Sequence, residues 1–245
     1  MNLMQAGLLG ILQGLTEFLP ISSSGHLVIV QSVMPGFTQP GVLFDVMLHA
    51  GTLLAVIIYF RKTLIKLNRK YLKLLIIGSI PAALVGLLFA DLIESLFSLT
   101  LVVGVALLVT SVANYLTDRA VKKKSQLDTT DSLFVGVAQA IAIVPGISRS
   151  GLTIFAATRL GIERKKAAEL SFLLSLPAIF GASILQLTKY HSDFSQNYIT
   201  YSVGFIFSAV VGYFAISIVL KLLLSKKFVY FALYCGVVGI LTLLL

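Results

Sequence analysis

Hydrophobic residues run along this chain in long blocks separated by short polar ones. Six blocks are close to 20 residues each: 41–60, 72–90 and 99–117 in the first half, and 166–187, 198–220 and 228–245 in the second. A helix needs roughly 20 apolar residues to cross a hydrocarbon core of about 30 Å, so these blocks read as crossings. Two further apolar stretches, 3–34 and 132–160, are broken near the middle by "LPISSSGH" and "VPGISRSG". Neither broken arm is long enough to span comfortably. The pattern predicts a helix that enters, turns at a polar loop and leaves by the same face. Such re-entrant backbone is tolerated only where protein or a watery cavity surrounds it. The expected fold class is an all-α polytopic membrane protein.

Composition supports this. Of the 245 residues, 58% are hydrophobic and 12% charged, with a mean hydropathy of +0.98. A soluble domain has about 25% charged residues, and no segment is left over here to make one. The N-terminus lacks a basic leader and a small-residue cleavage site, so it does not read as a removable signal peptide. The one cysteine, Cys235, cannot form an intrachain disulfide.

The formal charge of +9 changes the picture only through its placement. With both broken segments re-entrant and the six blocks crossing, the basic clusters at 61–73, 119–124, 159–166 and 221–227 fall on one side, and they hold 17 of the 19 Lys and Arg residues. That is the positive-inside rule, with both termini outside. Nucleic acid is therefore not an expected partner. The basic runs read as topology signals and contacts with lipid headgroups.

The chain also matches itself at an offset of 126. Gly10 falls on Gly136, Gln13 on Gln139, Ser22 on Ser148, Ser24 on Ser150, Gly25 on Gly151, Gly78 on Gly204 and Gly86 on Gly212. Residues 1–245 thus read as a single membrane domain of two copies, 1–119 and 127–245, joined by a linker at 120–126. Each copy has one re-entrant helix hairpin and three transmembrane helices. An odd number of crossings inverts the second copy, so the expectation is two inverted-topology repeats with their broken helices facing each other near the midplane. Glu17, Ser22, Ser23, Ser24 and His26 should then meet Ser148, Arg149 and Ser150.

Those residue types point to anion chemistry. Arg149 near the bilayer centre is costly, and it reads either as a structural partner of Glu17 or as half of an anion site. Its planar fork of donors matches phosphate oxygens. Serine hydroxyls and the N-termini of helices starting near Gly25 and Gly151 add donors. His26 can move a proton or attack phosphorus, and Glu17 can orient it, hold a divalent cation or position water. Ser24 and Ser150 read equally well as small residues satisfying unwound backbone. His49, at helical spacing from Asp45, reads equally as support for the site or as packing, and His191 as a solvated loop residue.

"LQGLTEFLPISSSGHL" and "PGISRSGLT" resemble the two signature motifs of the undecaprenyl-diphosphate phosphatase family of the bacitracin-resistance type. "FDVMLHAGTLLAV", "SIPAALVGLLF" and "AAELSFLLSLPAIFGAS" extend the likeness over nearly the whole chain. The resemblance implies a hydrolase of the cell membrane that removes the terminal phosphate of a polyprenyl diphosphate and recycles the lipid carrier for cell-wall glycans. It also implies inverted repeats, a homodimer and help from Mg²⁺ or Ca²⁺. By motif position, it assigns catalysis to Glu17, Ser23, His26 and Arg149. Substrate binding falls to Gln13, Ser22, Gly25, Gly146, Ser148, Ser150 and Thr153, and Glu17 is the candidate metal ligand. Gln13 departs from the pattern, since many members carry a second carboxylate there, and it offers a metal only a neutral carbonyl. The rival expectation is a transporter or flippase for polyprenyl phosphate, because inverted repeats and broken helices also build transporters.

Overall fold

The structure is a computed structural model that describes residues 1–39, 41–119, 127–224 and 227–244. The expected linker at 120–126 lies outside the described residues, as do three lysines of the 119–124 cluster and Lys226. Among the described residues all regular structure is helical: α1 (Leu3–Thr16), α2 (Ser23–Val33), α3 (Leu43–Tyr59), α4 (Arg61–Ile65), α5 (Arg69–Leu88), α6 (Ala90–Leu96), α7 (Thr100–Thr117), α8 (Thr129–Ile141), α9 (Arg149–Arg159), α10 (Arg164–Lys189), α11 (His191–Leu224) and α12 (Phe228–Leu243).

Four of these, α5, α7, α10 and α11, are long and apolar enough to cross a membrane. Large apolar side chains such as Leu88, Leu101 and Phe214 are more than 60% exposed on their outer faces, where lipid replaces water. The protein is a multi-pass membrane protein. The six expected crossings coincide with α3, α5, α7, α10, α11 and α12. Of these, α3 and α12 have only 17 and 16 residues, about 25 Å at 1.5 Å per residue. The chain leaves helical geometry at Phe60 (φ −91°, ψ 12°) and Phe89 (φ −120°, ψ 24°), which creates the short helices α4 and α6.

The two broken stretches each give a pair of short helices, α1 with α2 and α8 with α9. Local sequence explains their starts. Asn2 and Gln5 form a capping box on α1, and Asp128 and Asp131 form one on α8, 126 residues later. Ser22 caps α2 by accepting from Gly25 N at 3.2 Å, and Ser148 caps α9 by accepting from Gly151 N at 3.1 Å.

Packing exchanges elements between the halves. Helix α1 lies along α11, α8 lies along α5, α7 pairs with α12, and α3 packs on both α10 and α11. Glycines set two of these distances. A Cβ on Gly10 would lie 2.9 Å from Phe207 Cβ and against the Gly204 carbonyl, while one on Gly136 would lie 2.9 Å from the Gly78 carbonyl carbon. Small residues at such contacts let helix backbones approach closely, which drives association in lipid.

Polar contacts and ion pairs mark both ends of the bundle. At one end Lys70 and Lys166 line a common cavity, Arg164 donates to Asp118 at 2.9 Å, and Val229 N donates to the same carboxylate at 3.0 Å. At the other, Lys189 bridges Asp91 at 2.8 Å and Glu94 at 3.1 Å, and Met1, Gln39, Asp193 and Asn197 share a cavity.

Candidate active site

The two loops between the short helices, 17–22 and 142–148, meet inside the bundle. A Cβ on Gly25, in the first turn of α2, would lie 3.0 Å from Gly146 Cα, so the second loop approaches the start of α2 closely there. Gly146 itself has φ +96°, a left-handed conformation that suits glycine. Helix α7 holds both loops. Thr110 donates to Gly146 O at 2.9 Å and accepts from Ser148 N at 2.9 Å, and Asn114 Nδ2 donates to Pro20 O at 2.6 Å. Ser150 Oγ donates to Leu19 O at 3.0 Å, tying the second loop to the first.

Between the loops is a chamber of about 190 Å³ lined by Glu17, Ser22, Ser23, His49, Ser148 and Arg149 among others. Three pairs in this lining are separated by 126 positions: Glu17 with Ile143, Ser22 with Ser148, and Ser23 with Arg149. Ser22 and Ser148 match, while the other two pairs carry different chemistry. In these the first member contributes a carboxylate or a hydroxyl, and the second an aliphatic side chain or a guanidinium.

Glu17 is the hub. Its Oε1 accepts from Arg149 Nη2. Its Oε2 accepts from Ser23 Oγ at 2.6 Å and Gln13 Nε2 at 2.9 Å. His49 Nε2 lies 3.4 Å from the same oxygen. His49 Nδ1 donates to Asp45 O at 2.7 Å, which aims Nε2 at Glu17. Arg149 Nη1 also donates to Ser171 O at 3.2 Å. Ser171 and Thr153 hydroxyls are 2.7 Å apart, and Thr153 Oγ1 lies 2.7 Å from Arg149 O. Thr153 therefore supports the arginine's helix rather than facing the chamber.

His26 is placed differently from the expectation. It does not join Glu17 and Arg149, and it is not part of the chamber lining. Its Nδ1 donates to Ser22 O at 2.7 Å, which leaves Nε2 to accept from the Tyr234 hydroxyl at 2.7 Å, with the two rings parallel to within 3°. Burial explains this: at 8% exposure both ring nitrogens need partners, and α12 supplies the second.

The contributions of His49, Tyr234, Thr110 and Asn114 were not assigned from sequence. Only His49 carried a signal, its helical spacing from Asp45. The divalent cation implied by the resemblance has little to hold it. Glu17 is the sole carboxylate in the chamber lining, with both oxygens already engaged, and Gln13 turns its NH₂ rather than an oxygen towards it. Among the described residues no three His, Cys, Asp or Glu side chains group to hold a metal. Mg²⁺ keeps several waters and is usually held by one or two carboxylates together with substrate phosphates, so Glu17 is the side chain of the chamber that would hold such an ion.

Comparison with known proteins gives the family. The family model described as Bacitracin resistance protein BacA matches residues 6–241. The chain is 41% identical over 255 residues to the undecaprenyl-diphosphatase of Syntrophotalea carbinolica, covering 98% of this chain and 97% of that protein. It is 41% identical over 256 residues to the undecaprenyl-diphosphatase of Carboxydothermus hydrogenoformans, covering 100% and 98%. It is 42% identical over 254 residues to undecaprenyl-diphosphatase 3 of Bacillus cereus, again covering 100% and 98%. With both loops and all the long helices inside the matched region, the chain belongs to the Bacitracin resistance protein BacA family.

Proposed function

We propose that this protein is an integral-membrane hydrolase that removes the terminal phosphate of undecaprenyl or a related polyprenyl diphosphate, giving the monophosphate. One observation carries the reading: Glu17 and Ser23 converge in one chamber with Arg149, which lies 132 positions beyond Glu17. Base, hydroxyl and cation are the parts needed to move a phosphoryl group. The relatives, undecaprenyl-diphosphatases, supply the substrate class.

The steps follow from the hydrogen bonds. The terminal phosphate enters the chamber and competes with Glu17 for Arg149, whose planar donors match its oxygens. Ser23 attacks phosphorus while Glu17, already accepting from its hydroxyl, takes the proton. The bond from phosphorus to the bridging oxygen breaks and the lipid monophosphate leaves. Water then cleaves the phosphoseryl bond, with Glu17 returning its proton to Ser23. Arg149, with Ser148 and the N–H groups at the start of α9, stabilises the charge that gathers on the transferring group. His49 faces Glu17 and can exchange a proton with it. His26 acts by fixing Ser22 and the start of α2. No step is routed through a metal, and no second copy of the chain is needed.

The same reading includes the membrane arrangement. The two halves are inverted repeats with α1–α2 and α8–α9 as re-entrant hairpins and both termini outside. Three observations support it: matching caps at positions 126 apart, the exchanged glycine contacts, and the sequence clustering of 17 of the 19 basic residues in connections that this topology puts on one side. Phe97 lines both the chamber and a cavity at the opposite end that also holds Asp91 and Glu94, which supports access from outside the cell membrane.

The test is phosphate release from a polyprenyl diphosphate by purified protein, with and without chelator, compared with Arg149→Ala. Wild-type turnover in the variant would sink the scheme. In liposomes, lipid crossing without phosphate release would favour a flippase instead.

A further inference from the structure

Gln139 is the equivalent of Gln13 at the 126 offset, yet its surroundings differ. Gln13 donates to Glu17, four residues on. The residue four beyond Gln139 is Ile143, which cannot accept. Gln139 is 2% exposed, and among the described residues neither its amide nitrogen nor its amide oxygen has a hydrogen-bond partner. An orphaned buried amide is rare in folded proteins and calls for a partner.

Gln139 lines an apolar groove of about 310 Å³ between α5, α8 and α10, with Ser79, Ala82, Gly86 and Gly181. The groove is continuous with the chamber, because Arg149, Ala142, Ile143, Ala178 and Ala182 line both. At its far side Leu87 is 67% exposed on the lipid-facing surface. A Cβ added at Gly86 or Gly181 would meet nothing within 4 Å, so the groove is open at both positions.

We infer that Gln139 is the substrate-binding residue for the lipid-side phosphate of the diphosphate, and that the groove beyond it takes the first isoprene units. The inference rests on the hydrolase reading. With the terminal phosphate in the chamber, the next phosphate falls at the Arg149 wall shared by the two spaces. Gln139 there offers two N–H donors to phosphate oxygens, so its amide nitrogen is satisfied by substrate rather than by the fold. Past that point the lining is mostly small and apolar, which suits a methyl-branched isoprenoid chain and leaves no place for a charged group. Discrimination between a lipid diphosphate and free pyrophosphate would then arise in the groove rather than in the chamber.

The experiment is equilibrium binding of a long-chain polyprenyl bisphosphonate, whose methylene bridge prevents turnover. It is compared with a five-carbon isoprenoid bisphosphonate, using wild type, Gln139→Leu and the double variant Gly86→Leu, Gly181→Leu. Gln139→Leu should weaken binding of both ligands about tenfold or more, the scale of a hydrogen bond to a charged group. Its melting temperature should be no lower than wild type, since it removes an unsatisfied buried amide. The double variant should lower the ratio of long-chain to short-chain affinity about tenfold. Unchanged affinity in Gln139→Leu, or a lowered melting temperature as its sole effect, overturns the role given to Gln139. An unchanged ratio in the double variant overturns the groove. Binding without hydrolysis separates this test from phosphate release, so a protein that binds but does not cleave would refute the hydrolase reading alone.

Discussion

Ser23 Oγ donates to Glu17 Oε2 at 2.6 Å, and the two side chains face the chamber together. Ser22, the next residue back, serves the backbone instead: its hydroxyl caps α2 and its φ is +67°. The two serines should therefore separate on mutation. Ser23→Ala is expected to lower kcat about a thousandfold or more, as loss of a nucleophile does, with little change in melting temperature. Ser22→Ala is expected to lose about 1 kcal/mol of stability with the cap and to keep most of its turnover. Mass spectrometry of rapidly quenched protein should find a phosphoryl group on Ser23. An adduct on His26 would contradict the assignment.

Arg149 uses separate nitrogens for Glu17 and Ser171 O. Lysine offers a point charge on one nitrogen and cannot reproduce that fork. Arg149→Lys is therefore expected to lose about a hundredfold or more in kcat, despite keeping its charge. Turnover within a few-fold of wild type would show that only charge matters there.

His26 and Tyr234 are linked across 208 positions at 2.7 Å. If His26 works by holding the loop, removing the tyrosine hydroxyl should loosen it by one neutral hydrogen bond. Tyr234→Phe is then expected to cost about 2- to 10-fold in kcat/KM. His26→Ala should lower melting temperature as well as rate, because the buried ring's bonds to Ser22 O and the Tyr234 hydroxyl are lost together with its packing on the Tyr234 ring. A His26→Ala protein with wild-type stability and no activity would return His26 to direct chemistry.

Much of this was legible in the sequence because lipid imposes strong rules. The apolar blocks placed the long helices within a few residues, and the Pro/Gly/Ser interruptions marked both loops. The 126-residue offset brought Glu17 and Ser23 to Arg149 without any structural input. What failed to show were contacts made by single side chains on distant helices. Tyr234 lies on an apolar helix with no polar neighbour to mark it, and Thr110 and Asn114 sit on α7 as ordinary polar residues among aliphatics. The breaks at Phe60 and Phe89 carry no glycine or proline, so α4 and α6 left no local signature. His26 was drawn to Glu17 by proximity in the motif, but α2 begins between them and turns the ring towards α12.

The exchanged glycine contacts make a stability prediction. Gly136→Ala forces its Cβ against the Gly78 backbone, which cannot rotate away as a side chain would. The expected cost is about 1–3 kcal/mol, read as a lower melting temperature in detergent. Gly86→Ala has open space and gains helix propensity, so it should be neutral or stabilising. Equal effects at the two positions would remove the case for α5–α8 packing through Gly136.

The clasp between α6 and α10 makes a prediction in pH. Burial pushes the Glu94 carboxyl up, but hydrogen bonds from Tyr190 (2.6 Å), Lys189 (3.1 Å) and Gln186 (3.4 Å) outweigh it and leave the group below its ordinary value of 4.5. A carboxylate held low in the folded state contributes stability that is fully present above the ordinary value. That stability is lost as pH falls through the lower folded value. Glu94→Gln should therefore melt below wild type at neutral pH, and the gap should close as pH drops below 4.5. Because Phe97, three residues on, lines the chamber, releasing the clasp should also make Phe97→Cys more reactive to a water-soluble thiol reagent in a Glu94→Gln background. Cys235, the native thiol, is fully buried and adds little background. A gap that persists unchanged into acid would mean that Glu94 acts by packing, and labelling that does not rise would mean that α6 does not gate the chamber.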